Sequence, residues 1–266
     1  MLRNATNLLT KWNARKNRKP LIVWGARQVG KTYLVKDIFA EEYYSNSYIY
    51  IDFKIEDEIR DFCDHTANAE KIIEYISLYK GKDITKNTLL IFDEIQECPN
   101  IISSLKYFCQ DFREIPIIAT GSMVRIRLQR ELTRNGFTQK FMFPVGKIEQ
   151  LTIYPLSFDE FLLNSNEKLF NVTKKAYESR TPLNSSIHEL VLNEFYKYLL
   201  IGGMPEAVNT YFESNSFLES RRVLKDLYDN YLSDMELYQA SRESCLRSKN
   251  LFSNIYGQLN KESKNF

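Results

Sequence analysis

Continuous apolar runs that alternate with helical periods are the feature that most constrains the fold of this sequence. The runs PLIVWG, SYIYIDF, TLLIFDE and IPIIATGS have the apolar, largely β-branched and aromatic content of buried strands, and KIEQLTIYP is a fifth candidate. Segments between them, such as KTYLVKDIF, place apolar residues at helical spacing. Strands that are apolar on both faces and separated by helices predict a parallel sheet covered by helices on each side. The predicted fold class is therefore α/β.

The pattern changes after Pro155 and predicts two parts. Residues 1–160 contain all the predicted strands and form the α/β core. Residues 187–266 show helical periods without a strong strand. Helices are predicted there at 187–200, 203–213 and 217–239. The polar residues 161–186 are expected to be a long loop, a linker or an insertion. The chain ends in NKESKNF without a clear final element, which is consistent with a missing final domain or with a natural frayed C-terminus.

Composition excludes several classes of protein. The 44% hydrophobic and 26% charged content is ordinary for a globular chain, and the net charge of +2 does not indicate a nucleic-acid binder. No apolar run approaches the ~20 residues that cross a bilayer, and the first residues lack the apolar segment of a secretory signal. Four cysteines without a C-x-x-C pair and two histidines argue against a zinc site. We expect a cytoplasmic protein with free thiols and no membrane contact.

The segment GARQVGKT, residues 25–32, matches the phosphate-binding loop G-x-x-x-x-G-K-[ST] and lies between a predicted strand and a predicted helix. Its glycines allow backbone N–H groups to surround a β-phosphate, Lys31 supplies positive charge, and the Thr32 hydroxyl is suited to Mg²⁺. The positive end of the following helix also favours an anion. The predicted nucleotide-binding residues are Gly25, Ala26, Arg27, Gln28, Val29, Gly30, Lys31, Thr32 and Tyr33. For Arg27 and Gln28 a solvated position in the loop is the simpler interpretation.

The run LLIFDE supplies acidic partners for this loop. A buried strand would deliver Asp93 to its carboxyl end, where the carboxylate can hold Mg²⁺ together with Thr32. Glu94 is then suited to deprotonating an attacking water molecule. A water-activating glutamate favours an ATPase over a kinase that phosphorylates a small molecule. The opposing interpretation is a pair of acids that face solvent at a strand end.

Hydroxyl residues end the next predicted strand, and basic residues follow it. Thr120 and Ser122 are candidates to sense a γ-phosphate, although each hydroxyl could instead bond the backbone of a turn. The basic stretch beyond them offers candidates for an arginine finger, most of which we expect to be solvated. These candidates are Arg125, Arg127, Arg130 and Arg134. The same stretch could also contact nucleic-acid phosphates.

Together these motifs resemble a known family. PLIVWGARQVGKT, LLIFDEIQECP, SLKYF, ATGS, FPVGKIEQLTIYPLSFDEFL and GGMPEAV occur in the order seen in AAA-type ATPases of bacteria and archaea that carry a C-terminal domain of unknown function. The resemblance covers nearly the whole chain. YLSDMELY and FSNIYGQLNKESKNF are similar to the opening of that C-terminal domain.

The resemblance implies a P-loop NTPase core of the RecA-like type with strand order 5-1-4-3-2, followed by a smaller helical, winged-helix-like segment.

The resemblance also implies that the nucleotide is ATP rather than GTP. It makes Ser122 the better candidate for the residue that senses the γ-phosphate, with Thr120 second. It adds Lys147 as a further candidate for a γ-phosphate contact. GSMVR departs from the family's more usual GSLL, which weakens any assignment within the arginine-rich stretch.

We therefore expect an ATPase that uses ATP and Mg²⁺ to drive a conformational switch or motor. Self-association and a DNA or protein partner for the helical segment stay open. One alternative is a nucleotide-gated binding module with little turnover. Another is a small-molecule kinase, for which the sequence shows no separate lid.

Overall fold

The structure is a computed structural model of the 266-residue chain. It describes residues 1–122, 133–134, 137–138, 143–238 and 242–259. Within these ranges, no helix has both the length and the apolar character needed to cross a membrane.

A five-stranded parallel sheet forms the centre of the fold. Its strands are β1 Leu21–Gly25, β2 Tyr48–Asp52, β3 Leu89–Asp93, β4 Ile117–Gly121 and β5 Glu149–Ile153. The order across the sheet is β2-β3-β4-β1-β5, and every neighbouring pair is parallel. The predicted α/β class and the strand order implied by the family resemblance are both confirmed. Separately, Thr133–Arg134 pairs antiparallel with Phe137–Thr138.

Helices lie between the strands in the sequence and make up most of the chain after β5. They are α1 Asn4–Asn13, a π-helix Tyr33–Ala40, α2 Glu41–Tyr43, α3 Asp57–Asp64, α4 Ala69–Lys80, a 3₁₀ turn Ile95–Glu97, α5 Pro99–Asp111, α6 Phe158–Ser165, α7 Glu167–Ser179, α8 Ser185–Ile201, α9 Pro205–Ser214, α10 Phe217–Tyr238 and α11 Arg242–Leu259. The chain divides into two compact units, Met1–Pro205 and Glu206–Phe266. Three helices account for nearly all the described residues of the second unit, so the predicted helical C-terminal part is confirmed. A winged-helix-like arrangement stays a prediction.

The sheet has an apolar core on each face because successive strand residues point to opposite sides. On one face, Ile22 and Trp24 of β1 belong to a buried cluster with residues of α3, α4 and α5. On the other face, Leu21 and Val23 belong to a cluster with residues of α1 and the π-helix. The predicted phosphate-binding loop therefore begins at the end of β1, a strand that is packed against helices on both faces of the sheet.

The close approach of β1 to β5 requires glycine at the end of β1. A Cβ atom on Gly25 would lie 2.5 Å from the carbonyl oxygen of Ile153 and 2.9 Å from Cγ2 of Val29. The Ile153 carbonyl belongs to a strand paired in register with β1, so it cannot move without disturbing the sheet.

We expect Gly25→Ala to lower the free energy of unfolding by about 1–3 kcal/mol, the usual cost of overpacking. Thermal unfolding followed by circular dichroism measures this. Gly257→Ala is the control, because Gly257 is exposed in α11 with no atom within 4 Å of an added Cβ. A Gly25→Ala variant as stable as the control would contradict the close approach of the two strands.

The polar segment 164–186, expected to be a loop or insertion, is mostly helical. Its polar residues cap helices: the Asn166 side chain accepts the Leu169 N–H at 3.0 Å, and Asn184 accepts the Ile187 N–H at 2.8 Å. Just before it, Ser157 and Glu160 form a capping box at the start of α6. Asparagine and serine favour both turns and helix N-caps, so composition alone could not separate the two. The expectation of a long loop was wrong.

Candidate nucleotide-binding site

Three strand ends meet at one edge of the sheet. β1 ends at Gly25, where the predicted phosphate-binding loop begins, and β3 ends at Asp93. β4 lies between these two strands and ends at Gly121. Parallel strands share one carboxyl edge, so the loop, the acidic pair and the predicted sensor residues are brought together.

The loop turns sharply through two residues with left-handed backbone conformations. Gln28 has φ 62° and Gly30 has φ 85°. Glycine adopts this region freely, whereas for a residue such as Gln28 it costs about 1–2 kcal/mol. Between them, Val29 is fully buried and anchors the loop to the core. The loop is therefore held in a strained turn, as is common where a backbone surrounds a ligand.

Lys31 is buried and folds back onto the loop. Its ammonium group donates hydrogen bonds to the carbonyl oxygens of Gly25 at 3.1 Å and Ala26 at 2.8 Å. Burial lowers the pKa of Lys31 from its ordinary value, and the nearby carboxylates of Glu94 and Asp93 oppose that effect. An anionic phosphate beside the ammonium would add a further stabilising charge.

Asp93 is the centre of a hydrogen-bond cluster. Its Oδ2 accepts from the Thr32 hydroxyl at 2.7 Å and from the Tyr50 hydroxyl at 2.8 Å. Its Oδ1 accepts from the backbone N–H of Glu94 at 3.0 Å and from the hydroxyl of Thr120. Four donors from four different parts of the chain therefore fix the carboxylate beside the phosphate-binding loop.

Tyr50 is held in its neutral form at this cluster. Burial raises the pKa of Tyr50 strongly, and the charge of Asp93 and the hydrogen bond to it act in the same direction. The ammonium of Lys36 lies 4.4 Å from the centre of the Tyr50 ring. Asp52, in register with Asp93, has a raised pKa, first because of burial and then because of the neighbouring carboxylates.

Glu94 has an unusual backbone and a defined side-chain partner. Its φ of 52° is in the left-handed region, and its side chain is half-buried. The Gln96 side-chain amide donates a hydrogen bond to Glu94 Oε2. This left-handed backbone turns the chain directly after β3, where the 3₁₀ turn Ile95–Glu97 begins.

The other predicted site residues are placed as follows. Thr120 joins the Asp93 cluster through its hydroxyl, and Ser122 is buried directly after β4. Ala26, Gln28 and Tyr33 are exposed at the loop and at the start of the π-helix. Three of the candidate finger residues, Arg125, Arg127 and Arg130, lie outside the described residues. For Arg134 only the backbone is described.

Lys147 is the exception, because it lies at the opposite edge of the sheet. β5 begins at Glu149, which pairs with Leu21 at the start of β1. The neighbouring Gly146 carbonyl accepts a hydrogen bond from Lys19, which precedes β1. Strand length from Leu21 to Gly25 is roughly 13 Å, longer than an extended lysine side chain. The structure therefore does not bring Lys147 to the phosphate-binding loop of its own chain, and a contact with a γ-phosphate stays a prediction.

Two residues of the site were missed from the sequence. Tyr50 lies in a β2 whose side chains alternate between buried and half-buried, but nothing in YIYID distinguishes it from Tyr48. Gln96 gave a weak signal: it is a polar residue, now found fully buried, that follows the acidic pair. A polar residue inside an apolar region needs hydrogen-bond partners, and here they belong to the site.

The site offers a small set of metal ligands. Within the residues that the structure describes, no group of three or more His, Cys, Asp and Glu side chains is arranged to hold a metal. Asp93 and Thr32 bring one carboxylate and one hydroxyl oxygen together. This donor set fits Mg²⁺, which binds through one or two carboxylates and completes its shell with phosphate and water oxygens.

Comparisons with known proteins agree with the geometry. A family described as an AAA domain matches residues 17–162. No curated protein sequence matches the chain.

Two solved structures are similar to this chain. The Walker-type ATPase PABY2304 of Pyrococcus abyssi is 17% identical, with 87% of this chain and 74% of that chain covered at a TM-score of 0.49. AMPPCP-bound DnaA of Aquifex aeolicus is 14% identical, with 90% and 69% covered at a TM-score of 0.43.

Proposed function

The chain belongs to the family of AAA domains and is a P-loop ATPase, and from that premise we propose that it couples Mg²⁺-dependent ATP hydrolysis to a conformational switch or motor. The observation that carries the proposal is the contact between the Asp93 carboxylate and the Thr32 hydroxyl, 2.7 Å apart, beside the buried ammonium of Lys31. The phosphate-binding loop, a carboxylate suited to Mg²⁺ and a following glutamate then lie at one edge of the sheet.

We propose the following roles. Backbone N–H groups of residues 25–32 surround the phosphates, and Lys31 exchanges its two loop carbonyls for phosphate oxygens. Thr32 and Asp93 hold Mg²⁺, which would neutralise charge on the phosphates when bound. Glu94 accepts a proton from water as the water oxygen bonds to the γ-phosphorus. The bond from that phosphorus to the bridging oxygen breaks, and ADP leaves with inorganic phosphate.

Thr120 and Ser122 are proposed to report the presence of the γ-phosphate. Thr120 already contacts Asp93, so a change at the carboxylate would reach β4 directly. Phosphoryl transfer depends on positioning and charge stabilisation more than on covalent chemistry with the protein. The hydrogen-bond cluster around Asp93 supplies that positioning.

We also propose domain bounds, a location and partners for the chain. We propose a core at 1–160, a helical part at 187–266 that begins a C-terminal domain of unknown function, and a cytoplasmic location. Self-association would allow one of the basic residues after β4 to act across a subunit interface. A DNA or protein partner would bind through the helical part.

The test is steady-state ATP hydrolysis with Mg²⁺, with excess EDTA, and with added duplex or single-stranded DNA. We expect turnover with Mg²⁺ and its loss by at least about 10²-fold with EDTA, since the metal stabilises the transition-state charge by several kcal/mol. Stimulation by DNA that falls steeply with salt would identify a nucleic-acid partner. ATP binding without hydrolysis under every condition would instead favour a nucleotide-gated binding module.

A further inference from the structure

One buried amide connects the predicted base to the end of β4. Gln96 is fully buried, and its Nε2 donates to Glu94 Oε2. On its other side, Gln96 Oε1 accepts the backbone N–H of Ser122 at 3.2 Å. The side chain therefore bridges the residue after β3 and the residue after β4.

The chemistry of the bridge is specific to glutamine. A carboxylate partner requires a donor, and a backbone N–H requires an acceptor, so the two ends of the amide have fixed and opposite tasks. Glutamate at position 96 keeps the acceptor for Ser122 but loses the donor to Glu94 and adds a like charge. Methionine has similar length but cannot make the hydrogen bond to either of the two partners.

The space around the bridge is also fixed. A Cβ on Gly121 would lie 2.9 Å from Gln96 Oε1 and 3.0 Å from Cγ1 of Ile95. Gly121 therefore leaves room for the amide at the end of β4. A displacement of Ser122 would be transmitted to Gln96, because the amide is packed against the strand end and hydrogen-bonded to it.

We propose that Gln96 is the positioning residue for Glu94, and that it couples the Glu94 carboxylate to the backbone of Ser122. This inference rests on the proposed function, in which Glu94 takes the proton from water. Gln96 itself touches neither water nor phosphate in this role. It limits the carboxylate to one orientation, and it shifts that orientation when the end of β4 moves with bound nucleotide.

The test compares Gln96→Glu and Gln96→Met with the wild-type chain in ATP hydrolysis, ATP-analogue binding and thermal unfolding. We expect kcat to fall by about 10²-fold, as a misplacement of about 1 Å can produce, with KM and analogue affinity changed less than about threefold. Gln150→Glu is the matched control: Gln150 is exposed on β5 and accepts the Trp24 indole N–H, which a glutamate would still do. It should hydrolyse ATP as the wild type does.

A second pair of variants separates positioning from folding. In a Glu94→Gln background, Gln96→Glu exchanges donor and acceptor across the same contact. The double variant should therefore regain thermal stability lost in Gln96→Glu while hydrolysis stays at the level of Glu94→Gln. A further loss of hydrolysis in the double variant would overturn the inference, because Gln96 would then act independently of Glu94.

The outcomes distinguish the two proposals. Hydrolysis that is lost in Glu94→Gln but kept in both Gln96 variants overturns the inference alone, as does a rise in KM with kcat unchanged. Hydrolysis that is kept in Glu94→Gln, or absent from the wild type, overturns the proposed function and the inference with it.

Discussion

Replacing Glu94 by glutamine is expected to lower kcat for ATP hydrolysis by about 10²- to 10⁴-fold, the usual contribution of a positioned general base. Glutamine has the same size but cannot accept the proton. ATP binding should change little, because Lys31, Thr32 and Asp93 keep their contacts. The fold should also be retained, since the new side chain still offers Gln96 an oxygen acceptor at the same place.

A coupled assay for released phosphate measures kcat, and a fluorescent ATP analogue measures affinity. Glu97→Gln is the matched control: it removes the same charge three residues further along, at the end of the 3₁₀ turn. The control should hydrolyse ATP at the wild-type rate. If the two variants behave alike, the loss reflects charge and not a base at position 94.

The sheet could be predicted from the sequence because its strands are buried on both faces. A strand such as LLIFD, with all five residues buried, cannot be mistaken for a half-exposed element. The positions of Lys31, Thr32, Asp93 and Glu94 followed from the same pattern. Once strand ends are known, parallel topology alone brings the loop and the acidic pair to one edge.

Contacts that depend on side chains from distant strands could not be predicted. Tyr50 reaches Asp93 only because β2 pairs with β3 in one register, with Asp52 beside Asp93. Gln96 bridges to Ser122 across 26 positions of sequence. The position of Lys147 could not be predicted for a related reason: nearness to β5 in sequence does not say at which end of the sheet a residue lies.

Helix α7 was missed for a local reason. Its residues are polar on most sides, and among them only Leu169 is buried. A helix that buries so little apolar surface leaves a weak periodic signal. The N-cap of α7 is Asn166, and asparagine is common in turns as well as at helix N-termini. The residue at the start of α7 therefore gave no independent evidence for a helix.

Replacing Lys31 by alanine is expected to weaken ATP binding by about 10²-fold, since a hydrogen bond to a charged group contributes about 1.5–3 kcal/mol. In the structure the ammonium already lies at the loop, held by the carbonyls of Gly25 and Ala26. Binding therefore requires an exchange of partners and not a large movement. Alanine removes the only side-chain cation of the GKT sequence that ends the loop.

The same substitution should leave the nucleotide-free protein about as stable as the wild type. Alanine loses two hydrogen bonds to loop carbonyls, but it also removes a buried ammonium. Burial lowers the pKa of Lys31, which means that the folded protein disfavours its charged form to that extent. These two effects oppose each other, so function and stability are expected to separate at this position.

Thermal unfolding with and without Mg²⁺ and ATP tests both statements at once. A ligand at 100 times its Kd stabilises the folded state by about 2.7 kcal/mol, so ATP should raise the Tm of the wild type clearly. At the same ATP concentration Lys31→Ala should show little shift. Lys106→Ala, the same change of charge at an exposed position on α5, should respond to ATP as the wild type does. An ATP-induced rise in Tm that is as large in Lys31→Ala as in the wild type would mean that the phosphates bind elsewhere. Removing an ammonium from the centre of the loop must weaken the binding of a nucleotide whose phosphates lie there.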